Sequence, residues 1–296
     1  MKTNLIKLAA LLLLSTLNSQ LSTVFAQGSL TPPGAPAPTM KTLDQIEART
    51  PISSVPFTIT QPGSYYLTTN LTTTVSNAIV ITTNGVTLDL GGWTISSTVA
   101  NAANGGTAIL LTGTATARLS DITIFNGHIR GGVTNNGSGV YSGNGFANGI
   151  SYSVNPPVNV LVSKVSVSGC LSFGIYLATG DATVVEGCTV RTIGGNGILA
   201  STVKSCVAVE CGGYAIYGDQ VSDCRGESTG SGAGIFATYT ASGCYGSSST
   251  GTGLYAYNAS FCTGDRLGGR AIQATIATGC IAYNGTNLVT YKYNMP

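Results

Sequence analysis

Seven cysteines recur at nearly constant intervals in the second half of the chain. By subtraction their spacings are 18, 18, 18, 20, 18 and 18 residues, for Cys170, Cys188, Cys206, Cys224, Cys244, Cys262 and Cys280. An apolar residue preceded by Gly or Ala recurs over the same stretch, at Ile175, Ile198, Ile216, Ile235, Leu254 and Ile272. Two markers that recur together indicate a repeat architecture. The period is too short for a pair of helices and predicts one coil of a parallel β-solenoid per repeat.

Longer units of the same character come before the cysteine-rich part. Their apolar strands begin at Ile79, Ile109 and Ile150, and loops rich in Gly, Asn and Ser separate them. The coil that starts at Ile235 carries one extra residue before its cysteine, which predicts a β-bulge. Because strand residues alternate between faces, the Ile marker and the small residues two positions later are expected to point inward.

The segments 86–92, 159–170 and 184–190 resemble the right-handed parallel β-helix repeat family, in the pectin-lyase-like superfamily, as found in uncharacterised secreted bacterial proteins. The resemblance covers roughly residues 55–288. It implies an all-β protein folded as a single-stranded right-handed parallel β-helix with about nine coils and an N-terminal helix and hairpin cap. Left-handed solenoids can also have an 18-residue period, but they repeat an apolar position every six residues, which this chain does not.

The chain divides into five segments. Residues 1–26 have the features of a secretory signal peptide, with Lys2 and Lys7 before a short apolar run and Ala26 at the cleavage position. Residues 27–39 form a Pro-rich linker, and residues 40–75 form the expected cap, with a helix at 42–47 and a hairpin of 57–60 and 65–68. The β-helix spans 76–288, and residues 289–296 form a C-terminal cap or tail. We expect export and no membrane span in the mature protein.

Charge argues against a nucleic-acid partner. Charged residues make up 8% of the 296 residues, and the formal net charge is +2. The 13 basic residues are scattered along the chain rather than gathered in a run. A nucleic-acid interface would need a concentrated basic stripe.

The cysteine ladder can be interpreted in three ways. Stacked free thiols would act as small buried apolar groups, while an exported protein could also form disulfides between coils. A metal site is disfavoured because a straight column does not give the convergent ligands that zinc needs. Cys211 lies outside the register, and no metal or other cofactor is expected. His128, the single histidine, falls where Trp93 stands one coil earlier, so a packing role is expected for it.

Alignment of the coils on the Ile marker places an aromatic stripe on one outer sheet face. Its members are Tyr176, Tyr217, Phe236, Tyr255 and Tyr257. In carbohydrate-active members of the family that the chain resembles, substrate lies along this face among several charged groups. Here Asp219 is the single acid at the outward positions, so no catalytic residue is predicted. The rings predict either cross-strand packing or a surface that binds a glycan or another partner.

Two further charged groupings follow from the register. Glu186 and Lys204 hold the same position in adjacent coils and predict an exposed ion pair. Glu227 and Asp265 share a position but are separated by the coil that carries Ser247. With Arg266 and Arg270 nearby, they form either a small site or a solvated charge cluster.

Three functions are consistent with the sequence. The favoured one is an exported, non-catalytic β-helix protein that binds a polysaccharide or a cell-surface component along the aromatic face. The alternatives are a polysaccharide lyase or glycoside hydrolase, and a purely structural surface or matrix protein. An enzyme would need an acid–base pair on one face, which the sequence does not show.

Overall fold

The computed structural model of the protein describes residues 48–295. The predicted signal peptide, the predicted linker and the predicted cap helix at 42–47 lie outside these residues. In chain order the strands are β1 (Thr50–Ile52), β2 (Phe57–Ile59), β3 (Gly63–Leu67), β4 (Leu71–Thr73), β5 (Ile79–Ile81), β6 (Val86–Asp89), β7 (Thr94–Ser97), β8 (Thr107–Thr112), β9 (Ser120–Arg130), β10 (Gly132–Asn135), β11 (Tyr141–Asn144), β12 (Asn148–Ser153), β13 (Val158–Cys170), β14 (Phe173–Tyr176), β15 (Val184–Glu186), β16 (Thr189–Ile193), β17 (Asn196–Lys204), β18 (Val207–Cys211), β19 (Ile216–Ser222), β20 (Arg225–Ser228), β21 (Ile235–Ser242), β22 (Tyr245–Ser248), β23 (Leu254–Ser260), β24 (Thr263–Asp265), β25 (Arg270–Thr278), β26 (Ile281–Tyr283) and β27 (Thr286–Tyr293). A 3-10 helix spans Ala102–Asn104.

The strands wind into a parallel β-solenoid with three sheet faces. The first sheet contains β2, β5, β8, β12 and β14, followed by the first halves of β17, β19, β21, β23, β25 and β27. The second sheet starts with β1, β3 and β6, continues through the first parts of β9 and β13 and through β15, and ends with the second halves of β17 to β27. The third sheet joins β4, β7, the second parts of β9 and β13, and β16, β18, β20, β22, β24 and β26. The fold class predicted from the sequence is therefore confirmed.

A left-handed residue turns the chain from the second sheet into the third in successive coils. This position is occupied by Gly187, Ser205, Asp223, Gly243, Phe261 and Gly279, with φ angles between 52° and 62°. Its backbone N–H donates to a carbonyl of the next coil, as from Ser205 to Ser222 at 3.0 Å. The corner is thus held by hydrogen bonds between coils, which offset the cost of a left-handed conformation for a residue other than glycine.

Residues 57–67 do not form the expected hairpin. Instead β2 pairs in parallel with β5, and β3 pairs in parallel with β6. The turn at Pro62 and Gly63 carries the chain from the first sheet to the second. The two strands do not pair with each other, because the next coil provides a parallel partner for each of them. The complete turns begin at β2, β5, β8, β12, β14, β17, β19, β21, β23 and β25, which makes ten against the nine expected. The additional turn consists of residues assigned to the cap.

The core becomes narrower along the solenoid. At one inward position of the third sheet the residues in successive coils are Ile95, Ile129, Val167, Val190, Ala208, Gly226, Gly246, Gly264 and Ala282. A Cβ atom on Gly246 would lie 2.3 Å from the carbonyl oxygen of Gly253, at the entry to the first sheet. The coils that carry Gly226, Gly246 and Gly264 therefore leave no room at this position for even a methyl group.

Two elements depart from the coil pattern. An antiparallel hairpin of β10 and β11 is inserted after β9. The hydroxyl of its Tyr141 donates to the carbonyl of Glu210 at 2.9 Å, which ties the hairpin to later coils. At the other end of the chain, β27 adds a last strand to β25. No helix within residues 48–295 has the length and apolar character needed to cross a membrane.

Candidate functional site

The aromatic face lies on the outside of the first sheet. Tyr176, Leu199, Tyr217, Phe236, Tyr255 and Gln273 occupy one register position in successive coils. The residues that follow the inward Ile markers therefore point outward, because side chains alternate along a strand. Tyr217, Phe236 and Tyr255 are each half-buried rather than fully exposed.

Ring stacking accounts for this partial burial. The rings of Phe236 and Tyr255 lie parallel, with centroids 4.6 Å apart and an interplanar angle of 5°. Tyr217 meets Phe236 edge to face at 4.6 Å. Tyr214, which the sequence patterns did not identify, packs against both Tyr217 and Phe236. Together these four rings form one cluster, in which Phe236 contacts the other three rings.

Tyr176 belongs to a second cluster. Its ring stacks on Phe173 at 4.4 Å and on Tyr152 at 5.3 Å, and Leu199 stands between this cluster and Tyr217. The expected stripe is therefore two clusters. Strict alternation from the Ile markers assigns Tyr152, Phe173 and Tyr214 to the interior, which is why the sequence did not reveal them.

Tyr257 stands apart from the stacked rings. It lies between Ala256 and Asn258, where the first sheet passes into the second, and its side chain is 54% exposed. A neighbouring irregularity comes from the extra residue in β21, where the register shifts between Ala237 and Thr240. The bulge predicted in this coil is confirmed.

A depression of about 330 Å³ lies beside Tyr255 and Tyr257. Its other lining residues carry mainly hydroxyl and amide groups and come mostly from the last strands of the first sheet: Thr238, Ala256, Gln273, Ala274, Thr275, Leu288 and Thr290. Phe236 covers one face of the Tyr255 ring from the preceding coil. The depression is formed mainly by β23, β25 and β27, so it lies on the side of Tyr255 away from Phe236. On that side the next coil carries Gln273 at the same register position, and among the described residues no further aromatic ring stacks on Tyr255.

The charged groups predicted from the register are mostly paired locally. Lys204 Nζ lies 3.1 Å from Glu186 Oε1, and both side chains are exposed, so the predicted cross-coil pair is confirmed. Glu227 and Asp265 are separated by Ser247, also as predicted. They do not form a shared site, because Glu227 binds Arg225 and Asp265 accepts from Tyr245 and Asn284.

The two arginines considered with them are engaged elsewhere. Arg266 donates to the carbonyl of Ser249 and Arg270 donates to Gln273. Asp219 accepts a hydrogen bond from the backbone N–H of Gly180, at 2.8 Å. Within residues 48–295, no group of three or more His, Cys, Asp or Glu side chains is arranged to hold a metal ion.

The cysteines form two columns rather than one. All eight are buried and unpaired in the structure. Six of them lie at the entry to a strand of the third sheet: Cys188, Cys206, Cys224, Cys244, Cys262 and Cys280. A backbone N–H to Sγ hydrogen bond of 3.4 Å links Cys188 to Cys206, Cys206 to Cys224 and Cys262 to Cys280. Cys170 is not part of this column, because it pairs with Ile193, which in turn pairs with Cys211.

The inclusion of Cys170 in the ladder is therefore wrong. The coil from Ile175 to Ile198 is 23 residues long, so an 18-residue interval after Cys170 does not reach the equivalent position. Val165 holds that position instead, just before the pair of Ser166 and Thr189. Cys211, expected to lie outside the register, is in line with Cys170.

Burial makes the Cys170 and Cys211 thiols poor nucleophiles. It raises the pKa of Cys170 to about 12. Burial also raises the pKa of Cys211, and the neighbouring carboxylates of Glu210 and Glu227 raise it further. The Cys224 thiol donates to the carbonyl of Ser222 at 3.0 Å. Because the thiolate is the reactive form, these surroundings suit packing rather than catalysis.

Comparison of the chain with protein-family models, with curated proteins and with solved structures gave no match.

Proposed function

We propose that the protein is an exported, non-catalytic β-solenoid that binds a glycan in the depression beside Tyr255 and Tyr257. The observation that carries the proposal is the position of Tyr255, which ends the ring stack and borders a depression lined mainly by hydroxyl and amide groups. The parallel solenoid and the repeat pattern also lead us to place the chain with the right-handed parallel β-helix proteins that its repeats resemble. The signal-like residues 1–26 support export to the cell surface or beyond.

An aromatic face beside hydroxyl groups suits a sugar ring. The apolar side of a pyranose can pack on the Tyr255 ring, while its hydroxyls bond to polar groups at the edge of the depression. Thr238, Thr275 and Gln273 provide such groups. Rings inside the stack are less suitable because their faces are already in contact. The proposed site is thus the end of the stack rather than the whole stripe.

The open shape of the depression favours a polymer over a small molecule. Small-molecule sites enclose most of the ligand surface, whereas this depression is open on the outside of the first sheet, at its last strands. A glycan chain could lie across β23, β25 and β27 and contact Tyr257, whose side chain is 54% exposed.

Retention of the protein on a panel of immobilised polysaccharides tests the proposal. The double substitution Tyr255→Ala with Tyr257→Ala is expected to weaken binding to the retained glycan at least tenfold. The matched control is Tyr239→Ala with Tyr283→Ala, two tyrosines that are 60% and 59% exposed outside the depression. No retention on any glycan, or equal loss in both double variants, would leave a purely structural role as the better assignment.

Turnover should be assayed on the same panel. Reducing ends and unsaturated products are measured with and without calcium. The proposal expects no product in either condition, and product formation on any polysaccharide would replace it with a lyase or hydrolase.

A further inference from the structure

A second surface, on the third sheet, gathers hydrogen-bond donors. Arg130, Ser168 and Arg191 occupy one register position in three successive strands, and His128 and Ser166 occupy the neighbouring outward position. With Thr94 and Ile129 they line a depression of about 400 Å³. We call this surface the donor patch. Its polar side chains are arginine, histidine, serine and threonine, and its lining contains no carboxylate.

The register brings these residues together in a way that sequence spacing hides. His128 aligns with Thr94 rather than with Trp93, and its side chain is exposed. The packing role expected for His128 is therefore wrong. Residues 131–147, with the inserted hairpin, separate Arg130 from the next coil along the chain. In space Ser168 nonetheless lies on the adjacent strand.

The positive charges of the two arginines in the patch are largely unneutralised. Arg130 and His128 form no side-chain hydrogen bond or ion pair with any residue between 48 and 295. Arg191 approaches one acid, Glu210, at 3.6 Å, and its side chain is 72% exposed. This contrasts with Arg225 on the same sheet, which makes two hydrogen bonds to Glu227.

We propose that the donor patch binds a tetrahedral oxyanion, a sulfate or phosphate ester group carried by a polymer. Arg130 and Arg191 are two strand spacings apart, roughly 10 Å, so their long side chains can approach one group above Ser168 from both sides. A guanidinium presents planar, paired donors that match the oxygens of such a group. Serine hydroxyls beneath and the imidazole of His128 to one side add further donors.

The patch is too small for a nucleic-acid interface. The two guanidinium groups of the patch would neutralise few phosphates, whereas nucleic-acid affinity depends on many such contacts. The lining also contains no Phe, Tyr or Trp ring on which bases could stack. A sparsely charged chain with ester groups fits these dimensions better.

Affinity electrophoresis in gels that contain dextran sulfate tests the proposal, with unsulfated dextran as the neutral arm. Arg130→Gln is expected to weaken dextran sulfate binding at least tenfold. Arg225→Gln, which removes the same charge from the same sheet outside the depression, is expected to change it less than twofold. Arg130→Lys should restore part of the affinity because it keeps the charge without the planar fork. Circular dichroism confirms that each variant is folded.

Further arms distinguish the source of the anion. Inorganic sulfate alone should displace dextran sulfate from the wild type, as expected if the ester group is what binds. Equal losses in Arg130→Gln and Arg225→Gln would reduce the effect to net charge and overturn the assignment. So would stronger binding of polygalacturonate, or of a single-stranded oligonucleotide, with the same dependence on Arg130. The Tyr255→Ala and Tyr257→Ala variant should bind dextran sulfate normally, so this proposal and the glycan proposal can fail separately.

Discussion

The early and late coils of the solenoid have the same three sheet faces, but the core that these faces enclose is wider in the early coils. In the early coils, residues 82–85 separate β5 of the first sheet from β6 of the second. In the late coils, β19 passes through both sheets as one strand. The shorter corner draws the sheets together, so the inward side chains change from Ile95 and Ile129 to Gly246 and Gly264.

This difference explains where the cysteines lie. The main thiol column begins at Cys188, in the part of the solenoid where Val190 is followed by Ala208 at the inward position of the third sheet. A thiol is a small, apolar group that can also donate a hydrogen bond to a nearby carbonyl. The column is therefore best understood as the packing solution of a narrow core. The following expectations test that view, from the largest effect to the smallest.

Truncation of a large core residue in the wide section should have the largest effect. Ile95 is fully buried, and Ile95→Ala is expected to lower the free energy of unfolding by about 2–5 kcal/mol, because neighbouring coils cannot close the cavity. Urea denaturation followed by circular dichroism measures it. The control is Ile281→Ala on the third sheet, where the side chain is 49% exposed and the change should stay within about 0.5 kcal/mol. Similar losses in both would contradict a wide, closely packed early core.

The pH dependence of stability should report the burial of Cys170. Its pKa is raised from 9.0 to about 12, so the folded state favours the neutral thiol. The resulting stabilisation is complete below pH 9 and is lost as the pH rises from 9 to about 12. Over that range the free energy of unfolding should fall by about 4 kcal/mol through this thiol.

Urea denaturation at pH 8 and pH 10.5 compares the wild type with Cys170→Ala. The wild type should lose more unfolding free energy than the variant, because the variant lacks this thiol while it keeps the others. Parallel losses in the two proteins would show that Cys170 is accessible to solvent in the folded state.

The fold could be predicted from the sequence because the interval between successive markers equals the length of one coil. From Ile198 to Ile272 each Ile or Leu marker pairs with the marker of the next coil. The prediction from constant spacing is wrong where the length of a coil changes. Cys170 has the right interval to Cys188, but a longer loop in that coil shifts the register. The hairpin prediction failed because a turn signal does not show whether the next strand reverses or proceeds to another face.

The candidate sites divide in the same way. Tyr217, Phe236 and Tyr255 lie in short coils of regular length, so their common position was readable from the sequence. The donor patch spans coils with a long insertion, so the alignment of Arg130 with Arg191 emerges only from the strand pairing. The position of Tyr255 at the end of the ring stack was equally hidden, since it depends on which rings touch.

An added methyl group tests whether the core of the late coils is as narrow as we infer. In Gly246→Ala the new Cβ would lie 2.3 Å from the carbonyl oxygen of Gly253, a backbone atom that cannot rotate away. We expect a loss of about 1–3 kcal/mol from overpacking. Thermal and urea unfolding measure it. Ala208→Gly, at the same position nearer the wide section, should cost only about 0.5–1 kcal/mol, through backbone entropy. A neutral Gly246→Ala would mean that the late coils are looser than the strand pairing indicates.

Extension of the thiol column by one coil should have the smallest effect. Val165 is buried at the position that Cys188 occupies in the next coil. Val165→Cys removes roughly one methyl group, so a loss of about 1 kcal/mol is expected, less if the new thiol donates to a nearby carbonyl as Cys224 does. The new thiol should stay unreactive towards a thiol reagent until the protein is unfolded, because thiols at this position are enclosed between sheets. A loss above about 3 kcal/mol, or rapid labelling of the folded variant, would contradict this view. The wider coil would then reject a side chain that it has room to accept, so the small size of cysteine would not be the reason that the narrow coils carry it.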